Sequence, residues 1–196
     1  MFANRFTAFV DACSLVSALK RNLLLTLAEG EFYRLRWSRT VLDETQRAIE
    51  RILAGREDVD AAAKALQARA NMEMAFEDAM VADFEAFLHV CPNLPDPGDN
   101  HVLAAALKTQ AFTIVTDNLN DFPAEILAQV NMEARATDDF LADTIMLDPG
   151  RAVAAIRKMR ARLKRPEITA EGLLVKMEAE GLTQTVDVLR SHVLSL

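Results

Sequence analysis

Leu-Pro-Asp-Pro-Gly-Asp-Asn-His-Val-Leu-Ala-Ala-Ala at 94–106, followed by Phe-Thr-Ile-Val-Thr-Asp-Asn-Leu-Asn-Asp-Phe-Pro at 112–123, decides the fold. Pro97 and Gly98 mark a turn, and Asp99 stands where an N-cap is expected, ahead of an alanine-rich helix from Asn100 to Gln110. Phe112 to Val115 is short, apolar and partly β-branched, which predicts a buried strand. Thr116, Asp117, Asn118, Asn120 and Asp121 follow it directly. In an open α/β sheet, the carboxyl end of a strand is where ligands bind. This one unit therefore presents a carboxylate at a helix start and two more at a strand exit, half of a metal site.

Outward from that unit, helix and strand alternate. Phe6–Val10 reads as a first, central strand ending at Asp11, and Ala12–Ala18 and Leu23–Leu27 as two short helices. Tyr33–Trp37 alternates apolar and basic residues and suits a second strand, with Ser38 capping a helix that runs to Ala54 and stops at Gly55. That helix is predicted to bury Val41, Leu42, Thr45, Ile49 and Ile52. Val59 to His89 reads as a long helical region, broken near Val81, covering one side of the sheet. A helix near Ala124–Gln129 and an edge strand at Glu133–Thr137 complete the alternation, which implies a parallel sheet with helices on its faces. Beyond it only helices are expected: Asp138–Met146, Pro149–Leu163, Ala170–Glu180 and Thr183–His192, separated by Pro166 and Gly181.

A length of 196 residues suits one domain with a small appendage. The net charge of -7 gives no general reason to expect nucleic-acid binding, but it does not exclude it where acids converge on metal. The two cysteines, Cys13 and Cys91, have no metal-site spacing and form no disulfide framework, so a reducing interior is expected. Without a long apolar run or a basic-then-apolar leader, the expected location is cytoplasmic, with no membrane role.

Carboxylates stand at four places where a core residue would be odd: Asp11, Glu44, Asp99, and the pair Asp117 and Asp121. In a parallel sheet, strand ends and helix starts share a rim, so these groups can converge. Crowded carboxylates repel unless a cation neutralises them, and oxygen donors favour Mg²⁺ or Mn²⁺. Each acid also has a plain reading. Asp11 can simply cap the helix at Ala12, Glu44 can be a solvated helix residue, and Asp117 and Asp121 can be turn acids. His101 reads as a structural histidine or as a substrate neighbour, and the cysteines as small core residues. Lys20 and Arg21 are candidate phosphate contacts. The run Arg151, Arg157, Lys158, Arg160, Arg162, Lys164, Arg165 suits an RNA track, an acidic docking partner or a solvated face.

Val-Asp-Ala-Cys at 10–13, Trp-Ser-Arg-Thr-Val-Leu-Asp-Glu at 37–44, Pro-Asp-Pro-Gly-Asp-Asn-His-Val-Leu-Ala-Ala-Ala at 95–106 and Ile-Val-Thr-Asp-Asn-Leu-Asn-Asp-Phe-Pro at 114–123 stand in one order. With them the chain resembles PIN-domain ribonucleases of the VapC toxin type. The helical tail, with Arg-Leu-Lys-Arg-Pro at 162–166, resembles the extension of one subgroup.

The resemblance implies an α/β PIN-like parallel sheet flanked by helices over residues 1–136, and an all-helical C-terminal appendage over 137–196. It also implies a Mg²⁺-dependent (or Mn²⁺-dependent) endoribonuclease with Asp11, Glu44, Asp99, Asp121 and Thr116 as catalytic residues. Asp11, Glu44, Asp99, Asn118 and Asp121 would be the metal ligands. Asn118 takes a position more often acidic, which leaves open whether Asn118, Asp117 or Asp121 completes the site. The implied partners are an RNA substrate and a cognate antitoxin, with a homodimer allowed for. The rival reading is a non-catalytic PIN-like protein- or RNA-binding module.

Overall fold

The structure, a computed structural model, describes residues 6–56, 59–163 and 167–196. β1 (Thr7–Val10) is buried along its whole length, and one residue later Asp11 caps α1 (Ala12–Val16). Ser17 caps α2 (Ala18–Glu29), a single helix more than twice as long as its apolar Leu23–Leu27 stretch suggests. β2 (Arg34–Ser38) alternates as read, and the Ser38 hydroxyl accepts from the Val41 amide to start α3 (Arg39–Ala54). Val41, Leu42, Thr45 and Ile49 of α3 are buried, while Ile52 remains 45% exposed.

The stretch read as one long helix is not one. α4 (Ala61–Ala75) ends at Phe76, a 3₁₀ turn covers Glu77–Ala79, and Met80–Val81 form a short parallel strand, β3, against Trp37 and Ser38 of β2. Glu85–His89 is again 3₁₀. α4 packs chiefly on α3 and so does not cover the sheet. Two residues are too few for a period, so only pairing with β2 reveals this strand.

α5 (Asn100–Lys108) buries Val102 to Ala106 under the sheet and leads to β4 (Thr113–Val115). Phe112, predicted as part of that buried strand, precedes it and is 57% exposed. α6 (Ala124–Leu127) and β5 (Glu133–Arg135) follow. The sheet order is β3-β2-β1-β4-β5, with every pair parallel. The chain works outward from β1 to β3 on one side, then returns to place β4 on the other. The β1/β4 boundary is thus the topological switch point, where the crevice of such a sheet forms.

The remaining elements are α7 (Thr137–Leu147), α8 (Pro149–Arg162), α9 (Ala170–Ala179) and α10 (Thr183–Arg190). Gly181 turns between the last two with φ +80, a conformation that glycine adopts without a Cβ penalty. Pro166, with Lys164 and Arg165, lies outside the described residues. α7 and α8 lie on α2, and α10 packs on α7 and α9. Phe140, Ile145, Ile156, Met177 and Leu189 from these helices join Phe9, Trp37 and Ile114 in one hydrophobic core. Asp138 of α7 accepts from the Gln184 and Thr185 amides, both at 2.8 Å, and so supplies the cap that α10 lacks from its own Leu182.

Candidate active site

Parallel register sets the first pair. Val10 lies beside Val115, so the residues just beyond them, Asp11 and Thr116, are neighbours. The Thr116 hydroxyl donates to Asp11 Oδ2 at 2.9 Å, and the Cys13 thiol approaches the same oxygen at 3.1 Å. Asp11 Oδ1 accepts from the Ala12 amide at 2.6 Å. Asp11 is therefore both helix cap and rim carboxylate, with its orientation fixed from three sides although only 7% is exposed. Burial first, then the charge of Asp11, pushes the Cys13 thiol up to about 11. Cys13 is thus a neutral thiol at physiological pH.

Asp99 behaves differently from the cap its position suggests. Its backbone is already helical at φ -90, ψ -4, and its side chain caps nothing. Winding starts three residues earlier, where Asp96 has extended backbone and its Oδ1 accepts from the Gly98 amide at 2.7 Å. An N-cap needs extended φ/ψ, so the 3₁₀ turn Pro97–Asp99 moves the cap to Asp96. Asp99's carboxylate is thereby left free to face the rim.

There it meets other acids. Ligand oxygens of Asp96, Asp99 and Asp121 all lie within 4.8 Å of one another. Burial raises the Asp99 pKa to about 6, with further upward pushes from Asp11, Asp121 and Asp96, while His101 opposes them. Among the described residues, Asp11 and Glu44 stand outside that triplet of mutual contacts. Asp11 acts on Asp99 through its charge, and Glu44 reaches the rim through His101, whose Nε2 is 3.3 Å from Glu44 Oε1.

The polar cluster after β4 divides. Asp117 turns away: its Oδ1 accepts from the Thr137 amide at 2.9 Å and its Oδ2 pairs with Lys20 Nζ at 2.8 Å. Burial alone raises its pKa, but these donors outweigh burial and leave it lowered. Asp121 turns inward to Asp96 and Asp99, and the Asn118 side-chain amide donates to Asp121 Oδ2. Of the three residues left open at the fourth position, Asp121 joins the triplet, Asn118 braces it, and Asp117 ties β4 to α2 and α7.

Asp96 was not singled out in the sequence. The available signal was its three-residue spacing from Asp99 across Pro-Gly, since a 3₁₀ turn has three residues per turn and stacks such positions on one face. Lys20 and Arg21 are held internally, by Asp117 and by the Leu15 and Val16 carbonyls. Arg151, the first residue of the basic run, lies away from the acidic rim. Arg151 donates to the Gly30 carbonyl and lies over the Phe32 ring, beside the entry to β2 at the opposite end of the strands.

Residues 7–120 match the profile of the PIN domain. The chain belongs to the PIN-domain family. Residues 137–191 match a second profile, the VapC50 C-terminal domain, giving a VapC-type PIN protein with a C-terminal extension. Over 76 residues the chain is 40% identical to a protein of Mycobacterium tuberculosis (strain ATCC 25618 / H37Rv) named "Putative ribonuclease VapC50". The aligned segment is 39% of this PIN protein and 45% of that relative, so it spans less than half of either. No solved structure matches.

Proposed function

We propose that this PIN protein is a Mg²⁺- or Mn²⁺-dependent endoribonuclease, the toxin of a toxin–antitoxin pair. The observation that carries the reading is the convergence of Asp96, Asp99 and Asp121 opposite Asp11, from three separate parts of the chain. The donor set fits a hard divalent ion, being built from carboxylate oxygens with no histidine or thiolate in the triplet. Burial first, then the charges of Asp11, Asp121 and Asp96, raise the Asp99 pKa, and a cation sharing that charge would relieve the crowding. Asp99, Asp121, Asp11 and Glu44 would hold the ion, with Asp96 as an added oxygen donor. When bound, the ion supplies Lewis-acid polarisation and lowers the pKa of a coordinated water.

The chain's own residues do the rest. Thr116 and Cys13 fix Asp11 Oδ2, and Asn118 fixes Asp121. Thr116 is thereby a positioning group, its hydroxyl committed to Asp11. Glu44 orients the attacking water. Hydrolysis adds that water to phosphorus and breaks the bond to the 3′-oxygen, leaving a 3′-hydroxyl and a 5′-phosphate. Residues 1–136 would carry the nuclease and 137–196 the extension. An antitoxin would act by covering the acidic rim, in the cytoplasm, where free Cys13 and Cys91 stay reduced. Asn118, in a position more often acidic, braces Asp121 within the cluster, which fits the nuclease reading.

The test is incubation of antitoxin-free protein with a mixed RNA pool, with Mg²⁺ or with EDTA. Cleavage in Mg²⁺ alone is expected; no metal-dependent cutting would leave the module reading standing.

A further inference from the structure

His101 sits in the first turn of α5, two residues past Asp99, and its side chain is only 15% exposed. Both ring nitrogens are buried, and neither makes a hydrogen bond of full geometry among the described residues. The contact of Nε2 with Glu44 Oε1, at 3.3 Å, is an ion-pair distance off the line of a hydrogen bond. A buried imidazole without partners is costly. Here it faces a glutamate from another element.

That glutamate needs a holder. Glu44 comes from α3, has a long side chain that is 35% exposed, and belongs to a rim that already carries Asp11, Asp96, Asp99 and Asp121. Like charges would drive a free carboxylate outward into water. Among the described residues, His101 Nε2 approaches its carboxylate at 3.3 Å, and His101 shares rigid helix backbone with Asp99. We infer that His101 is the positioning residue for Glu44, tying α3's carboxylate through Nε2 to the turn that carries Asp99. This rests on the nuclease reading above, and it adds a residue outside the acidic set.

The probe is Mn²⁺ alone, titrated calorimetrically into the metal-free full chain. A glutamine amide reaches as far as Nε2, whereas an asparagine amide reaches only as far as Nδ1. His101→Asn is therefore expected to weaken Mn²⁺ binding about tenfold, and His101→Gln to recover it to within about threefold, the scale of outer-shell effects. In a Glu44→Gln background, His101→Asn should cost little more, because the carboxylate it positions for the ion is already gone. Circular dichroism melts check that each variant is folded, and the two near-isosteric amides avoid the cavity that alanine would leave. The inference is overturned if His101→Gln binds as weakly as His101→Asn, or if the full loss persists in the Glu44→Gln background. Both outcomes leave wild-type Mn²⁺ binding intact and spare the nuclease reading. A wild type that binds no Mn²⁺ would overturn both.

Discussion

The acidic rim and the C-terminal helices use the same residue types to opposite ends. In the tail, several charges are matched within the chain. Asp138 caps α10, Arg160 holds the Leu196 and Ile168 carbonyls at 3.1 and 2.7 Å, and Arg162 pairs with Glu29. On the rim, Asp96, Asp99 and Asp121 face one another, and the Asp99 pKa is raised first by burial and then by its acidic neighbours. Asp117, four residues from Asp121, falls on the tail's side of this divide because Lys20 and Thr137 claim it.

That contrast can be broken by substitution. The largest expected effect is on activity: Asp11→Asn should slow RNA cleavage by at least about a hundredfold, beyond the usual outer-shell range. Asparagine keeps the cap at Oδ1 but cannot accept from Thr116, so a thermal melt accompanies the assay to show that the variant is folded. An active variant would remove Asp11 from the site. Next, Asp138→Ala should cost about 2 kcal/mol in urea unfolding by uncapping α10, while the Mg²⁺-induced rise in melting temperature stays. If that rise vanished, tail and rim would not be separable in the way described.

Asp99→Asn should do the reverse, raising metal-free stability at pH 7 by about 1 kcal/mol once solvent screening is allowed for. Asp99 caps nothing that the change would undo. The pH dependence has a definite sign. With a folded pKa of about 6 against an ordinary 3.8, folded protein holds more protons than unfolded protein between those values. Wild-type stability should therefore fall as pH rises from about 4 to about 6, and the asparagine variant should lack that fall. Millimolar Mg²⁺ should raise the wild-type melting temperature much more than the variant's. The smallest expected effect is a gain of roughly 0.5 kcal/mol from Gln110→Gly, since Gln110 closes α5 at φ +53 with a Cβ in the left-handed region. A thermal melt reads it, and no change in RNA cleavage should accompany it.

Much of this was legible locally. Ser38 and Gly55 bounded α3 as written, Pro149 opened α8, and β1, β2 and β4 stood in the sequence as apolar or alternating runs. Met80–Val81 did not, because a two-residue strand has no pattern without its partner. Asp99 was misread as a cap because cap preference is written in residue type, whereas capping depends on backbone angles that a preceding 3₁₀ turn had already changed.

By itself, the order of strands, helices and acids determined the parallel sheet, the helical tail and the candidates Asp11, Glu44, Asp99 and Asp121, because periodicity and turn chemistry act over a few residues. Only the tertiary structure decided which acids meet. It drew Asp96 in, sent Asp117 to Lys20 and set His101 against Glu44. Electrostatic interaction depends on distance in space, and residues far apart in the chain acquire that distance only when the strands are in register.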